Sequence, residues 1–288
     1  DCQDATAEAL RQTLVSVERQ DYAAAGVWLR GGEPPALESS LPLRQLPETL
    51  DWAQLDAHLT QVEDVDWLLL LRAGDELDER ALLLLAERIV TTPELACCYV
   101  DEDRLEGAER FDPFFKPDFN LDLMRSYPYC GRVLAFARGG LLAAGGFRGA
   151  MGELSPHDLL WRLLETRGFS AIGHIAEVLV HCRQSLGQWL AGAPVQEANA
   201  RLVSAHLSRL GVGHAVGIGA LPMINRVTYS HTGQPLVSII VVARDRLPLL
   251  RRCVESLVEK TRYPNYELLI VDDASETPEA RAWFEGME

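Results

Sequence analysis

The chain has 288 residues, 48% of them hydrophobic, a composition typical of a soluble protein with one large or two medium domains. Its net charge is −15, without a basic cluster, which argues against nucleic-acid binding and against adhesion to anionic lipid. Six cysteines without CxxC spacing favour reduced thiols over a zinc site or ordinary disulfides.

No signal peptide or transmembrane segment is apparent in the sequence. We therefore expect a cytoplasmic protein, which would reach the inner face of the membrane through partners. Both ends of the sequence look cut, which predicts a piece of a longer protein.

The first 60 residues predict one helix and one short strand. Apolar residues at helical spacing indicate a helix at 6–20, with Thr6 as its N-cap. A strand is predicted at 26–29, and a loop rich in glycine and proline follows at 30–35. Residues 36–60 have too little periodicity to predict an element.

The middle of the chain alternates short apolar strands with helices, as an α/β domain does. Strands are predicted at 67–71, 97–100, 132–137, 171–175 and 178–180. Helices are predicted from about 78 to 90, at 158–166 and at 194–210, with Gly168 as a C-cap, and a short helix with a glycine turn is predicted at 139–147. An aromatic loop at 111–123 and a linker at 211–235 complete this part of the chain.

The clearest pattern is a strand, a helix and a second strand near the C-terminus. The run 236–242 is apolar and β-branched, too short for a membrane span and typical of a buried strand. Asp245 lies in the charged loop after it, and a second apolar strand at 266–271 ends in Asp272 and Asp273. Parallel strands joined by a crossover helix bring these loops to one edge of the sheet, where ligands bind.

This stretch resembles the family-2 glycosyltransferases of the GT-A fold. Val237 to Ser275 carries, in family order, a Val-Ser-Ile-Ile run, a Cys-x-x-Ser-Leu helix core, Tyr-Pro-Asn-Tyr-Glu and a strand ending in Asp-Asp-x-Ser. The resemblance implies that Asp272 or Asp273 holds the base of a sugar nucleotide, with Asp245 in the same site. A generic nucleotide-binding metabolic enzyme is the other interpretation, against which the absence of a GxGxxG loop weighs.

The resemblance continues between residues 66 and 183. The matching segments are Asp101-Glu102-Asp103, Asp112 to Asp118, Gly145 to Arg148, Asp158-Leu159 and Val180 to Arg183. It implies an α/β fold of the GT-A (Rossmann-like) type, with a mixed, mainly parallel sheet flanked by helices and a C-terminal βαβ segment from a second copy. The implied domains are 1–193, lacking its first strand; a helix and linker at 194–235; and the second copy at 236–288.

The first copy departs from the family at the metal-binding carboxylates that follow strand 67–71. Arg72 and Gly74 occupy two of those positions, and only Asp75 is acidic. Arg72 would repel a divalent cation there and could instead bind the diphosphate directly. His181 matches a further metal ligand of the fold, with a plain strand-end histidine as the alternative.

The expected base and the nucleotide-binding acids are also missing from the first copy. Pro156 stands at the position of the family base, and Arg30-Gly31-Gly32 at that of the nucleotide Asp pair. Asp158 is either a catalyst or, more often at such a position, a helix N-cap, and Glu153 is a substitute base. The first domain is therefore expected to be catalytically impaired.

Asp101 and Asp103 are expected at an exposed strand end, where they position the acceptor or belong to a solvated loop. The aromatic residues of the 111–123 loop could stack on a sugar, although packing within the loop is the commoner explanation.

We expect a fragment of a bacterial glycosyltransferase that transfers sugar from a nucleotide-sugar donor to a glycan acceptor in cell-surface polysaccharide synthesis. The parent enzyme is expected to use Mn²⁺ or Mg²⁺, and for this fragment the absence of a metal is the alternative. The alternative is a non-catalytic scaffold or glycan-binding domain. A partner transferase, or a dimer that exchanges the C-terminal segment, is also predicted.

Overall fold

The computed structural model describes residues 2, 5–31, 39–47, 51–62, 64–221 and 223–286, which form two compact units that divide between Tyr229 and Ser230. Gly32 and the rest of the predicted loop up to residue 35 lie outside the described residues. No helix among the described residues is long and apolar enough to cross a membrane.

The first unit combines helices with short strands along its whole length. Its α-helices are α1 (Ala7–Glu18), α2 (Trp52–Thr60), α3 (Ala81–Thr91), α4 (Leu121–Ser126), α5 (Arg138–Ala143), α6 (Ser155–Arg167), α7 (Leu186–Leu190) and α8 (Ala193–Arg209). Its strands are β1 (Val27–Leu29), β2 (Leu43–Gln45), β3 (Trp67–Leu69), β4 (Glu76–Leu77), β5 (Cys97–Glu106), β6 (Glu109–Phe114), β7 (Leu134–Ala137), β8 (Ile172–Cys182), β9 (His214–Ile218) and β10 (Asn225–Tyr229).

The central sheet of this unit is mixed, as predicted. Its strands follow the order β3-β7-β5-β8-β4, with β6 paired to β5. Parallel pairing is less frequent than expected, because β5–β8 is the only parallel pair of this sheet in the described part of the chain. The reason is that β7 runs antiparallel between β3 and β5. A separate parallel pair, β1–β2, lies in a segment where the sequence predicted a single strand.

Helix α6 forms the centre of the core. It begins at Ser155 with Pro156 in its first turn and ends at Gly168, whose φ of 81° makes glycine the favourable residue there, as predicted. All ten residues from 155 to 164 are buried. Arg162, near the middle of the helix, pairs with Asp158 at 2.9 Å and donates to the carbonyl of Gly146 at 2.6 Å. These bonds satisfy a buried guanidinium inside the core.

Three predicted boundaries differ from the structure. The strands predicted at 171–175 and 178–180 form the single strand β8, which pairs with β5 through two irregularities in register. The linker predicted at 211–235 contains the antiparallel hairpin β9–β10, whose first strand packs against α8. Residues up to Tyr229 therefore belong to the first unit, which is longer than the predicted domain 1–193.

The second unit contains β11 (Val237–Ala243), α9 (Leu247–Lys260), β12 (Tyr266–Asp272) and α10 (Pro278–Glu285), so the predicted βαβ segment is confirmed. Its two strands are parallel, in register from Val237 opposite Tyr266 to Ala243 opposite Asp272. One face of this pair is exposed and carries Ile240, Val242, Leu269 and Val271.

Candidate functional site

The loop that follows β3 in the first unit is held by α1. The hydroxyl of Thr13 accepts a hydrogen bond from the Gly74 amide at 2.8 Å and donates to the Asp75 carbonyl at 2.7 Å. Gly74 has a φ of 102°, and a Cβ at this position would lie 2.7 Å from Cδ of Arg183. Glycine is therefore required both by the backbone conformation and by the close approach of Arg183.

Three arginines belong to this loop or contact it, and we call Arg72, Arg132 and Arg183 the arginine cluster. Gln184 connects two of them, because its side-chain oxygen accepts from Arg72 Nη1 at 3.1 Å and its backbone carbonyl accepts from Arg132 Nη2 at 2.9 Å. Arg183 donates to the Gly74 carbonyl at 3.2 Å and to the side chain of Gln12. The residues that form the cluster come from three separate parts of the chain.

Asp75, predicted as a metal ligand, lies underneath this cluster with its side chain only 3% exposed. Its carboxylate accepts from the backbone N–H of Arg183 at 3.1 Å and pairs with Arg132 at 3.4 Å. Burial raises the pKa of the Asp75 carboxyl, and the neighbouring Arg132 opposes this shift. Asp75 thus holds Arg132 and the 183–184 backbone in place.

The structure places Glu153 next to Arg72, whereas Asp158 has different partners. Glu153 lies 4.0 Å from Arg72 and accepts a hydrogen bond from the Trp189 indole at 3.0 Å, with its side chain 42% exposed. Asp158 is buried and pairs with Arg162 at 2.9 Å and Arg209 at 3.1 Å. The N-cap prediction for Asp158 is wrong, because α6 begins three residues earlier. Its two arginine partners hold the Asp158 carboxylate inside the core.

His181, the second predicted metal ligand, does not share partners with Asp75. Its Nδ1 lies 2.7 Å from Asp103, and the histidine is directly opposite Glu76 on β4. The Asp75 carboxylate instead contacts Arg132 and the backbone N–H of Arg183. No group of three or more His, Cys, Asp or Glu residues that could hold a metal occurs in the described residues. The predicted metal pair is therefore not assembled in the first unit.

Asp101 and Asp103, predicted at an exposed strand end, lie within β5 instead. Asp101 is 2% exposed and accepts from the Lys116 backbone N–H at 2.8 Å. His174 Nε2 lies 2.8 Å from the same carboxylate, and His174 Nδ1 lies 3.1 Å from Asp118. The prediction failed because β5 continues to Glu106 and forms a hairpin with β6, so part of the predicted 111–123 loop is strand. These carboxylates are held by buried partners.

His157 lies beside Pro156 at the start of α6 and stacks on Trp189, with 5.6 Å between the ring centroids. Burial lowers the pKa of His157 from its usual value of 6.5 to about 3. Below a pH of about 6.5 the unfolded chain binds a proton on this histidine, and the folded unit does not. The free energy of unfolding must therefore decrease as the pH is lowered.

We expect the first unit to lose about 1.6 kcal/mol of unfolding free energy from this histidine between pH 6.5 and 5, because the slope rises from about 0.7 kcal/mol per pH unit at pH 6.5 toward ~1.4 kcal/mol per pH unit at lower pH. Urea unfolding across this pH range measures the slope, which His157→Phe should reduce and His231→Gln, at an exposed histidine, should leave unchanged. An equal slope in wild type and His157→Phe would contradict this assignment.

In the second unit, Asp245, Asp272 and Asp273 lie at adjacent strand ends, as predicted, because Ala243 pairs with Asp272. Asp245 accepts from the backbone N–H groups of Glu276 and Thr277 at 2.7 and 2.8 Å, and the Thr277 N–H lowers the pKa of Asp245. Asp272 accepts from the Ser275 N–H at 3.0 Å, and both Asp272 and Asp273 are exposed. Asp245 thus fixes the loop, and the other two carboxylates remain accessible.

Sequence reasoning missed Lys116, Arg132, Gln184 and Trp189 as parts of these networks. Lys116 carried one signal, since it is one of two lysines in the chain and stands in a Phe-Lys-Pro segment of the family pattern. Arg132, Gln184 and Trp189 belong to no motif that was recognised. Their roles depend on partners far away in sequence, such as Asp75, which is 57 positions from Arg132.

A mixed sheet flanked by helices, with polar loops at the strand ends, is the architecture of an α/β protein. The family model for glycosyl transferase family 2 matches residues 238–287. The matched segment, which makes up most of the second unit, therefore belongs to the family that the resemblance implied.

Two curated relatives match most of the chain. The O-antigen biosynthesis protein RfbC of Myxococcus xanthus is 41% identical over 225 residues, which are 76% of this chain and 17% of that protein. The uncharacterized protein y4gI of Sinorhizobium fredii is 35% identical over 228 residues, which are 77% of this chain and 25% of that protein. The chain thus spans a quarter or less of the length of these relatives.

Among solved structures, S. aureus TarS (residues 1–349) matches with a TM-score of 0.51 at 12% sequence identity, over 70% of this chain and 62% of that chain. At this identity the match supports the GT-A fold and nothing finer.

Proposed function

We propose that the chain is part of a glycosyltransferase that transfers sugar from a nucleotide-sugar donor to a bacterial cell-surface glycan. The observation that carries this proposal is the family match at 238–287, which covers the strand ends with exposed Asp272 and Asp273. The name of the Myxococcus relative, an O-antigen biosynthesis protein, favours a surface polysaccharide as the product. The second unit would be the N-terminal part of a second GT-A copy.

We further propose that the first unit is not catalytic. Arg72 replaces an expected metal carboxylate, Asp75 is buried against Arg132, and Pro156 replaces the expected base. Glu153 is the remaining accessible carboxylate near Arg72, and its contact with the Trp189 indole fixes its orientation. We therefore do not place the Mn²⁺ or Mg²⁺ ion that we propose for the whole protein in this unit. The partner transferase, the exchanged-segment dimer and the inner-membrane location stay predictions.

The test is donor turnover and donor binding by the chain with Mn²⁺ across common nucleotide sugars. We expect little or no turnover, and Asp272→Ala should weaken donor binding about tenfold, since hydrogen bonds to charged groups contribute about 1.5–3 kcal/mol. Glu279→Ala, on exposed α10 surface, is the matched control. Clear turnover that survives Asp272→Ala would refute both the donor site and the impaired first unit.

A cavity of the first unit favours a second candidate, a glycan-binding domain. The space between α1 and β4 measures about 680 Å³ and is lined by arginine and acidic side chains, among them Arg19, Arg80, Asp21 and Glu79. Such groups hydrogen-bond sugar hydroxyls well. Calorimetric titration with oligosaccharides and with nucleotides separates the two functions. Glycan binding alone would support the domain interpretation, and metal-dependent UDP binding would support the enzyme.

A further inference from the structure

We propose that the cavity between α1 and β4 binds an uncharged oligosaccharide. The inference rests on the glycan-binding candidate of the proposed function and narrows it, since it names the residues that bind and excludes charged sugars. We call this cavity the α1 groove; it is lined by one side of α1, by residues 76–80 and by Arg110 of the β5–β6 hairpin. Its volume of about 680 Å³ is within the range of small-molecule sites.

The walls of the α1 groove are joined by hydrogen bonds. The Asp21 N–H donates to the Glu79 carbonyl at 2.9 Å. The Gln20 side chain donates to the Asp78 carbonyl at 2.7 Å and accepts from the Leu82 N–H at 2.9 Å. These bonds connect the end of α1 to the segment before α3, so a ligand meets a preformed surface and little ordering of the backbone opposes binding.

The α1 groove contains four arginines, of which two are free to bind a ligand. Arg11 and Arg80 each form an ion pair with a carboxylate, at 2.7 and 3.1 Å. Arg19 and Arg110 are exposed, and neither guanidinium has a partner among the described residues. Their N–H groups are therefore available as hydrogen-bond donors.

The same groove also offers free acceptors. The carboxylates of Asp21, Glu76 and Glu79 line it, and none of them is paired or hydrogen-bonded within the part of the chain that the structure describes. Four arginines and four acidic residues leave the lining without net charge. Guanidinium groups only donate and carboxylates only accept, so a ligand must supply both functions.

These requirements favour a ligand that is uncharged and rich in hydroxyl groups. A hydroxyl donates and accepts at once, so a sugar can bind a guanidinium and a carboxylate together. An anion would be repelled by the three free carboxylates, and a cation by the two free guanidinium groups. Val15 and Leu77 supply an apolar surface for the C–H groups of a sugar ring.

Saturation-transfer NMR on the full chain tests the proposal with three uncharged probes: maltotriose, cellotriose and mannotriose. Trigalacturonic acid is the charged comparison. We expect saturation transfer to at least one uncharged trisaccharide at about 10 mM. Its Kd should change less than twofold when the NaCl concentration is raised about tenfold, because salt screens charges and this ligand has none. Trigalacturonic acid should bind more weakly.

Two sets of variants locate the binding site. Arg19→Ala/Arg110→Ala should weaken trisaccharide binding at least tenfold, because both free donors are lost. Glu79→Ala, on the opposite wall, should weaken it about tenfold and gives an independent result if the double variant does not fold. Arg226→Ala is the matched control, at an exposed arginine of the same unit outside the groove, and should change the Kd less than twofold.

The proposal is overturned if none of the three uncharged trisaccharides shows saturation transfer, or if trigalacturonic acid binds as tightly as they do. It is also overturned if the groove variants bind like Arg226→Ala, which would place a glycan site elsewhere on the unit. The donor site of the proposed function is tested separately by Asp272→Ala, whose result does not depend on the α1 groove.

Discussion

Replacing Lys116 by methionine is expected to destabilise the first unit by about 3–5 kcal/mol. The Lys116 and Glu102 side chains are 0% and 4% exposed, and Nζ donates to the Glu102 carboxylate at 2.7 Å. The same ammonium donates to the carbonyls of Val100 and Cys130 at 2.7 and 3.0 Å. Methionine has a similar shape without the charge, so the substitution leaves a buried carboxylate and two carbonyls without their donor.

Urea unfolding followed by tryptophan fluorescence measures this loss, because five of the six tryptophans precede residue 230. Lys116→Met/Glu102→Gln should recover a substantial part of it, since the uncompensated charge is then absent. Arg11→Met, at an exposed pair, should change stability by less than about 0.5 kcal/mol. A loss below about 1 kcal/mol for Lys116→Met would mean that Glu102 is not held as a buried carboxylate.

Trp161→Ala is expected to cost about 3–5 kcal/mol, because it removes the largest fully buried side chain at the centre of α6. The indole stacks on His206 of α8, with 3.9 Å between the ring centroids, and meets Phe119 edge-on at 6.5 Å. The substitution therefore opens a cavity between α6 and α8.

Trp161→Phe separates packing from hydrogen bonding at the same position. The indole N–H is buried without a partner among the described residues, so phenylalanine removes an unsatisfied donor while keeping an aromatic ring. We expect it to cost clearly less than alanine, and Phe169→Ala, at a 59% exposed ring, to have a small effect. Chemical denaturation followed by circular dichroism compares the three variants. Equal losses for Trp161→Ala and Phe169→Ala would contradict the central position of α6.

The helices and the C-terminal βαβ segment were predictable because their apolar spacing is a local property of the sequence. Helix α6 and its C-cap at Gly168 are examples, and so are the register-matched strands at 237–243 and 266–272. The acidic run from Asp101 to Asp103 was misjudged, because clustered carboxylates are usually exposed. In the structure these carboxylates are largely buried, and each has a basic partner: Lys116, His174 or His181.

The candidate site of the first unit was predictable only in part. The motif comparison located Arg72, Asp75 and Glu153 in one region, and the structure places Arg72 4.0 Å from Glu153. It also grouped Asp75 with His181, which the structure assigns to different partners. The short strand β4 pairs with β8, which is far away in sequence. The order of residues along the chain does not tell which face of such a pair a side chain occupies.

The sequence by itself determined the family, the order of most helices and strands, and the loss of acidic residues at Arg72 and Pro156, because motifs and periodicity are written along the chain. The tertiary structure decided which charges are paired. Asp75 meets Arg132 across 57 positions and His181 meets Asp103 across 78, and burial in those pairs removes both acids from the solvent. Only folding brings such distant groups together, and only their surroundings determine whether a carboxylate binds an ion or holds an arginine.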